Sequence, residues 1–186
     1  MLYTGKGDDG TTKTFDSTAG ERVPKSDLRI ETLGVLDELN SFLGLCKVAS
    51  EEKGFVLGDK GEFEKVIHAT QDTLFTIQAE MAGAPKSVPQ EKTKELEECI
   101  AEAEKELPPI QSFFVSGGTE LAARFDVART MARRAERRVT ALHASGTFSV
   151  SEHTRSYMNR LSSLFYALAR LSNHKSGIKE EPPQYN

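Results

Sequence analysis

Five arginines fall within ten positions of the chain, at 129, 133, 134, 137 and 138, and no lysine lies among them. A guanidinium group donates paired hydrogen bonds to phosphate oxygens and keeps its charge when partly buried, so a row made only of arginine favours binding of a polyanion. The alternative is a solvent-exposed helix with internal pairs such as Arg133 with Glu136 or Asp126 with Arg129. The formal net charge of the whole chain is −4, so this positive charge is local.

A glycine-rich segment near the amino terminus, Gly5-Lys-Gly-Asp-Asp-Gly-Thr-Thr-Lys13, is a second possible anion site. Successive glycines let backbone N–H groups converge on a phosphate. The segment is not a Walker A motif, because Thr11-Thr12 stands where that motif requires lysine followed by serine or threonine, and the lysine is missing. From the residues alone, a cluster of turns is the favoured interpretation and nucleotide binding is the alternative.

Other catalytic chemistry lacks the necessary spacing. The four histidines form no pair typical of metal sites in helical bundles, and local spacing supports no Ser-His-Asp or Cys-His arrangement. The nucleophile of any reaction therefore need not belong to the protein. Asp37 and Glu38 lie beside an apolar stripe, either as ordinary helix-edge acids or paired with one of the arginines. Asn159 is either a surface amide or a ligand of a nucleotide.

Five helices are predicted to position these residues. Apolar residues recur every three or four positions over 28–49, 62–82, 90–107, 119–144 and about 150–173. Ser26 or Asp27 is expected to cap the first helix, Ser116 or Thr119 the fourth, and a capping box beginning at Ser149 the fifth. The short apolar run 111–115 could form a strand. The predicted fold class is therefore all-α, a five-helix bundle.

The apolar arc of the arginine helix is predicted to consist of Val127, Met131, Ala135, Val139 and Leu142. The chain of 186 residues is predicted to be one domain, with an N-terminal loop over 1–27, the bundle over 28–173 and a polar tail over 174–186. Two isolated cysteines, no signal peptide and no apolar run long enough to span a membrane predict a cytoplasmic protein that does not bind membranes.

Four sequence blocks, taken together, resemble the cobalamin adenosyltransferases of the propanediol-utilisation type. The blocks are Tyr3-Thr-Gly-Lys-Gly-Asp-Asp-Gly-Thr-Thr12; Glu21-Arg-Val-Pro-Lys-Ser-Asp27 with Gly34-Val-Leu-Asp-Glu-Leu-Asn40; Ala128-Arg-Thr-Met-Ala-Arg-Arg-Ala-Glu-Arg-Arg138; and Tyr157-Met-Asn-Arg-Leu-Ser162. They occur in the family's order and span residues 3 to about 173, and the arginine block is the most specific. The resemblance raises the glycine segment from a turn cluster to an expected ordered nucleotide-binding loop.

The resemblance implies a homotrimer that transfers adenosyl from ATP to cob(I)alamin, with ATP held between neighbouring subunits. The residues implied to contact ATP are Thr4, Gly5, Lys6, Gly7, Thr12, Lys25, Arg133, Arg134, Glu136, Arg137 and Asn159. Asp37 and Arg129 are implied to pair across the subunit boundary. Phe113 is implied to press on the corrin and help displace the lower axial base of cobalamin, although the adjacent Phe114 leaves open which ring does so. Ser116 stands where the family usually has proline.

This reaction agrees with the missing protein nucleophile, because cob(I)alamin itself attacks the ribose C5′. The departing triphosphate carries the difficult charge, and a Mg²⁺ ion with Arg133 and Arg137 would stabilise it. A cobalamin reductase and a B12-dependent enzyme are possible further partners, and nucleic acid is not expected. Two alternatives stay open: an arginine-rich helix that binds nucleic acid, and a bundle that binds cobalamin or ATP without turnover.

Overall fold

The computed structural model describes residues 2–185, and Met1 and Asn186, which begin and end the predicted domain, lie outside the described residues. The predicted all-α class is confirmed. The five helices are α1 (Leu28–Lys53), α2 (Phe63–Met81), α3 (Gln90–Glu106), α4 (Glu120–Ala144) and α5 (Glu152–Lys175). Two short strands, β1 (Thr11–Thr12) and β2 (Val23–Pro24), pair antiparallel in the N-terminal loop, and a single 3₁₀ turn occupies Gly58–Lys60. None of the helices within 2–185 combines the length and hydropathy needed to cross a membrane.

Side-chain caps explain where three of the helices begin. Asp27 accepts the backbone N–H of Arg29, and Thr119 accepts that of Ala122, so one of the two expected cap residues is used at each of these helices. The expected capping box at Ser149 is wrong. Ser151 caps α5 by accepting the N–H of Thr154, because the chain is still extended at Ser149 and becomes helical only at Glu152.

Within the described chain the helices pack in the order α2, α1, α4, α5, α3, so that α4 lies between α1 and α5. The core is aliphatic with a few aromatic rings. Phe63 packs edge-on against Phe55 and Phe125, with ring centroids 5.9 and 6.2 Å apart. One buried acid, Glu80, accepts hydrogen bonds from the backbone of Ser151 and the hydroxyl of Thr154, which ties the end of α2 to the start of α5.

The buried stripe of α4 differs from the predicted arc. Val127 is 46% exposed, and the fully buried positions include Phe125 and the three alanines Ala128, Ala132 and Ala135. The prediction gave most weight to large aliphatic residues. A helix packed between two neighbours needs small side chains at its contacts, because they allow the helix axes to approach closely. The C-terminal part of the predicted arc, Ala135, Val139 and Leu142, is buried as predicted, whereas Val127 faces outward and Met131 is half-buried.

The possible strand at 111–115 is also not formed. Residues 107–119, called the aromatic loop below, contain no helix or strand, and the loop crosses from the end of α3 to the start of α4. Two side chains of α5 bind the backbone of the loop at its ends. Arg170 donates a hydrogen bond near the start of the loop, and Asn173 both donates and accepts one near its end. Side-chain contacts with α5 therefore replace the strand partner that an extended segment would otherwise need.

Candidate active site

The five arginines of α4 divide into paired and unpaired groups. Arg129 bonds to Asp126, Arg134 to Glu38 of α1, and Arg138 lies 3.7 Å from Glu31 of α1. Within residues 2–185, the side chains of Arg133 and Arg137 make neither an ion pair nor a hydrogen bond. The pairing with α1 confirms that a carboxylate of the Asp37-Glu38 dipeptide meets the arginine helix, and Glu38 is the one that does so.

The two unpaired arginines line one groove between α4 and α5. The groove has a volume of about 620 Å³ and is also lined by Glu136, Thr140 and Asn159. The side-chain amide of Asn159 donates to Glu136 at 2.8 Å, which fixes the orientation of both groups. The groove thus brings together four of the residues expected at ATP: two free guanidinium groups, one carboxylate and one amide. This arrangement can bind a polyphosphate and hydrogen-bond to a nucleoside.

Arg134 does not belong to this groove within one chain. It lies about 100° around α4 from Arg133, because adjacent residues of a helix are separated by that angle. Its ion pair with Glu38 also keeps it beside α1. The expectation that Arg134 contacts ATP therefore requires a nucleotide that reaches the α1 side of the helix.

A larger cavity, of about 730 Å³, opens between the aromatic loop, α4 and α5. Its lining includes Phe113, Phe114, Arg129, Tyr166 and, at the boundary with the first groove, Arg133. Arg133 thus joins a charged groove to a cavity with aromatic walls. The guanidinium of Arg129 lies 5.9 Å from the ring centroid of Tyr166, and burial raises the pKa of that tyrosine.

The two adjacent phenylalanines of the loop have different surroundings. The ring of Phe114 is half-buried and lies 5.2 Å from the guanidinium carbon of Arg170. Phe113 is 80% exposed and faces the same cavity with no packed neighbour to hold it. Phe113 is therefore the more accessible ring of the two, and its contact with the corrin stays a prediction from the resemblance.

The N-terminal loop is ordered by one arginine that the sequence did not single out as a site residue. Arg22 donates to the carbonyl oxygens of Lys6 and Thr11 at 2.7 and 2.8 Å and to the hydroxyl of Thr11. Lys25 donates to the carbonyl of Gly7 at 2.8 Å. A Cβ placed on Gly7 would lie 3.1 Å from the Lys25 ammonium, so the loop closes tightly there. Thr4, Gly5 and Lys6 are exposed on its outer side, and Thr12 lies in β1.

The residues expected at ATP thus form two groups within one chain. The N-terminal loop rests against the start of α1 and the end of α2, where the N–H of Phe15 bonds to Ala82 and Arg29 pairs with Asp16 at 2.9 Å. The groove of Arg133 and Arg137 lies between α4 and α5. In the described part of the chain, no hydrogen bond, ion pair or shared cavity joins the two groups. Asp37 is likewise exposed on α1 and is not brought to Arg129 within one chain.

Three residues near the aromatic loop were missed by the sequence reasoning as functional candidates: Arg170, Asn173 and Glu180. Arg170 is only 5% exposed and forms an ion pair with Glu180 of the C-terminal tail. The only available signal was the periodicity of α5, which puts Arg170 in line with its buried positions. An arginine at a buried position requires a carboxylate partner, but sequence spacing does not identify that partner.

No group of three or more His, Cys, Asp or Glu side chains that could hold a metal ion is found among residues 2–185. A Mg²⁺ ion carried on a triphosphate fits these residues, because magnesium in nucleotide sites is held by phosphate oxygens and water with one or two carboxylates. Glu136 is the carboxylate in the groove that such an ion could approach.

A bundle that joins a free arginine pair to an aromatic cavity can hold a polyanion beside a large apolar ligand. Comparison with known proteins shows the family to which the chain belongs. Residues 2–172 match the family described as cobalamin adenosyltransferase, and the chain belongs to that family. The chain is 39% identical over 180 residues to the corrinoid adenosyltransferase PduO of Citrobacter freundii, covering 93% of this chain and 50% of that protein. It is 37% identical over 182 residues to the corrinoid adenosyltransferase of Bacillus subtilis, covering 95% of this chain and 89% of that protein.

A solved structure shares the whole fold. It is a phenylalanine-to-alanine variant of a PduO-type ATP:corrinoid adenosyltransferase from Lactobacillus reuteri complexed with cobalamin and ATP. The TM-score is 0.85 at 27% identity, with all of both chains covered. The chain spans about half the length of two curated relatives it matches, the PduO proteins of Citrobacter freundii and Salmonella typhimurium.

Proposed function

We propose that this protein transfers the 5′-deoxyadenosyl group of ATP to the cobalt of cob(I)alamin, releasing triphosphate and forming adenosylcobalamin. Membership of the cobalamin adenosyltransferase family supports the proposal. The observation that carries it is the pair Arg133 and Arg137, which share one groove and have no anionic partner within the described chain. Two unpaired guanidinium groups in one groove favour binding of an anion with several oxygens, such as triphosphate.

The reaction requires position and charge stabilisation rather than a protein nucleophile. An electron pair of cob(I)alamin forms the Co–C5′ bond as the C5′–O bond breaks, and triphosphate leaves with the pair of that bond. Arg133 and Arg137 stabilise the negative charge that develops on the leaving oxygen, with their hydrogen bonds directed at the phosphates in advance. A Mg²⁺ ion bound with the nucleotide, near Glu136, would supply further neutralisation of the triphosphate.

Phe113 gives the corrin side of the site its apolar contact. Its exposed ring projects into the cavity that adjoins Arg133, so a corrin in the cavity and a triphosphate in the groove would meet at Arg133. A ring that occupies the space below cobalt disfavours the lower axial base there, and removal of this base eases reduction of cob(II)alamin to cob(I)alamin. The same cavity therefore serves both binding and activation of the corrin.

We further propose that ATP is held between neighbouring subunits of a homotrimer, because its expected ligands form two separate groups within one chain. The N-terminal loop, with Thr4, Gly5, Lys6, Gly7, Thr12 and Lys25, would meet the groove with Arg133, Glu136, Arg137 and Asn159 of the next subunit. Arg134, beside α1, would then lie where the two groups approach each other. Asp37 and Arg129 would pair across the same boundary.

The proposal extends to the cellular setting. Cys46 and Cys99 are both free thiols, and burial raises the pKa of Cys46 to about 12 and that of Cys99 to about 11. Thiols of this kind are compatible with the reducing cytoplasm. A reductase must supply cob(I)alamin, and a B12-dependent enzyme would consume the adenosylcobalamin.

An anaerobic assay tests the function directly. Purified protein is mixed with chemically reduced cobalamin and Mg-ATP, and adenosylcobalamin is followed by its absorption spectrum. We expect catalytic turnover with release of one triphosphate per product. Binding of ATP and cobalamin without product would indicate a non-catalytic carrier, and tight, salt-dependent binding of RNA or DNA with no ATP-dependent product would favour the nucleic-acid alternative.

A further inference from the structure

The aromatic loop has to hold Phe113 in place without help from the ring itself. Phe113 is 80% exposed, and the loop that carries it forms no helix or strand. Packing of its own side chain therefore cannot fix where the ring lies. The position of the ring depends on how the backbone on either side of it is anchored.

The anchors on both sides come from one face of α5. Arg170 donates to the carbonyl of Pro108 at 3.1 Å and lies against the ring of Phe114. Asn173, three residues further along the helix, donates to the carbonyl of Gly117 at 2.8 Å and accepts the N–H of Thr119 at 2.9 Å. Residues three apart lie on the same side of a helix, so a single face of α5 holds the loop before and after Phe113.

Arg170 can perform this role only if its buried charge is neutralised. The guanidinium is 5% exposed, and the cost of burying an unpaired charge is large. Glu180, in the C-terminal tail after α5, accepts its Nε and Nη2 hydrogens at 2.9 and 2.8 Å in a two-pronged ion pair. The next tail residue contributes through its backbone, because the carbonyl of Glu181 accepts the N–H of Val115 at 2.8 Å.

We propose that Glu180 is a positioning residue for Phe113, acting through Arg170 to fix the aromatic loop over the corrin cavity. The inference rests on the proposed function for its catalytic consequence. The carboxylate of the tail fixes the guanidinium, and the guanidinium fixes Pro108 and Phe114 on one side of Phe113. Displacement of a reacting group or its support by about 1 Å can cost a large factor in rate, so loosening this pair should affect the step that uses the ring.

The test compares Glu180→Gln with Glu181→Gln. The first variant keeps the shape of the side chain but cannot give Arg170 a charged, two-pronged acceptor. The second removes the same charge from the neighbouring residue, whose side chain is exposed and whose backbone makes the contact. The measured quantity is turnover with cob(II)alamin under continuous reduction divided by turnover with pre-formed cob(I)alamin.

We expect Glu180→Gln to lower this ratio about tenfold, Glu180→Asp to recover part of it, and Glu181→Gln to leave it near the wild-type value. Equal losses with both cobalamin substrates, or the same loss in Glu181→Gln, would overturn the positioning role. Thermal unfolding of each variant separates loss of folded protein from a change in the ratio.

A second measurement does not depend on turnover. The chain contains no tryptophan, so Phe113→Trp introduces a single tryptophan in the aromatic loop, whose fluorescence is excited selectively at wavelengths that the four tyrosines do not absorb. Adding Glu180→Gln should lower the fluorescence anisotropy of this reporter and raise its quenching by iodide, whereas adding Glu181→Gln should change neither. Unchanged anisotropy would overturn the proposal even if the wild-type protein makes adenosylcobalamin. Absence of product from the wild-type protein would instead count against the proposed function.

Discussion

At the scale of single residues, Arg133 and Arg137 differ from the other arginines of α4 in having no carboxylate partner within residues 2–185. Their two neighbours in sequence, Arg134 and Arg138, face α1 and its acids. One helix therefore pairs some of its arginines with acids of α1 and leaves others available to a ligand. This division makes the two roles separable by mutation.

Arg133→Lys and Arg137→Lys should each preserve folding and charge while lowering kcat/KM for adenosyl transfer. Lysine keeps the Coulomb attraction but cannot donate the paired hydrogen bonds that a guanidinium gives to phosphate oxygens. One lost pair in the transition state should cost roughly 2 to 4 kcal/mol, or about 30- to 1000-fold in rate. Steady-state kinetics at varied ATP concentrations measures kcat/KM for each variant.

The matched control is Arg138→Lys, on the same helix but facing α1. It should retain kcat/KM within about threefold, because exposed ion pairs contribute little. If all three lysine variants behave alike, the groove is not the triphosphate site.

Phe113→Ala should lower turnover with cob(II)alamin under reduction by about tenfold or more relative to turnover with pre-formed cob(I)alamin, because only the former needs its lower axial base displaced. The affinity for ATP should not change. Ile110→Ala is the control, since Ile110 lines the same cavity from the same loop and is also exposed. Equal loss in both assays for Phe113→Ala would assign the ring to corrin binding alone.

At the scale of elements, the N-terminal loop is a small structure in which Arg22 makes more hydrogen bonds than any other single side chain described there. Arg22, which directly precedes β2, donates to the carbonyl of Thr11 in β1 and to that of Lys6 in the turn before it. Arg22→Ala should raise KM for ATP by about tenfold, since hydrogen bonds to a charged group are each worth about 1.5 to 3 kcal/mol. The unfolding temperature should hardly move, because the loop lies outside the hydrophobic core.

Lys13→Ala removes a positive charge from the same segment at an exposed position, and it should leave KM for ATP nearly unchanged. A similar rise in KM for both variants would mean that the loop attracts ATP by general charge rather than by an ordered backbone.

The elements that the sequence predicted well are those set by local interactions. The 3.6-residue period and the caps at Asp27 and Thr119 located α1 and α4 to within a few residues. The strands at 11–12 and 23–24 were missed because two residues are too few to show the alternating pattern of a strand, and their pairing joins positions about twelve apart. The aromatic loop was interpreted as a possible strand because its partners in α5, Arg170 and Asn173, lie more than fifty positions away. Local pattern carries no information about such contacts.

The same limit of local pattern explains which features of the candidate site the sequence did not predict. Residue type singled out the arginines, whereas the nucleotide role of the glycine loop and the choice of Phe113 came from the resemblance to the family. The sequence did not indicate which arginines lack partners, because that depends on where Glu31 and Glu38 of α1 lie relative to α4. The sequence likewise did not indicate that Phe114 lies against Arg170 while Phe113 is left exposed, because Arg170 is distant along the chain.

At the scale of the whole molecule, Asp37 is expected to act between chains. It is exposed on α1, while the adjacent Glu38 pairs within the chain. Asp37→Asn should weaken both subunit association and activity, because Arg129 would keep Asp126 of its own chain but lose the hydrogen bond to a second carboxylate across the boundary, worth about 1.5 to 3 kcal/mol. Sedimentation velocity over a range of protein concentrations measures the association.

Glu38→Gln is the matched control and should leave the assembly intact. The charge-swapped pair Asp37→Arg with Arg129→Asp should regain part of the association lost in either single variant. Strictly additive effects of the two substitutions would show that the residues do not interact.

The placement of the N-terminal loop and the arginine groove on different sides of α4 has a consequence for mixed assemblies. A variant defective only in the loop, Lys25→Ala, and one defective only in the groove, Arg137→Ala, should each be inactive as a pure protein. Co-expressed with different tags and purified together, they should regain activity, because a boundary that pairs an intact loop with an intact groove is whole. In the proposed ring of three, random mixing makes about one quarter of all boundaries whole, and selection for both tags raises this to about one third. Two defective chains would thus complement each other, whereas sites contained within single chains could recover nothing.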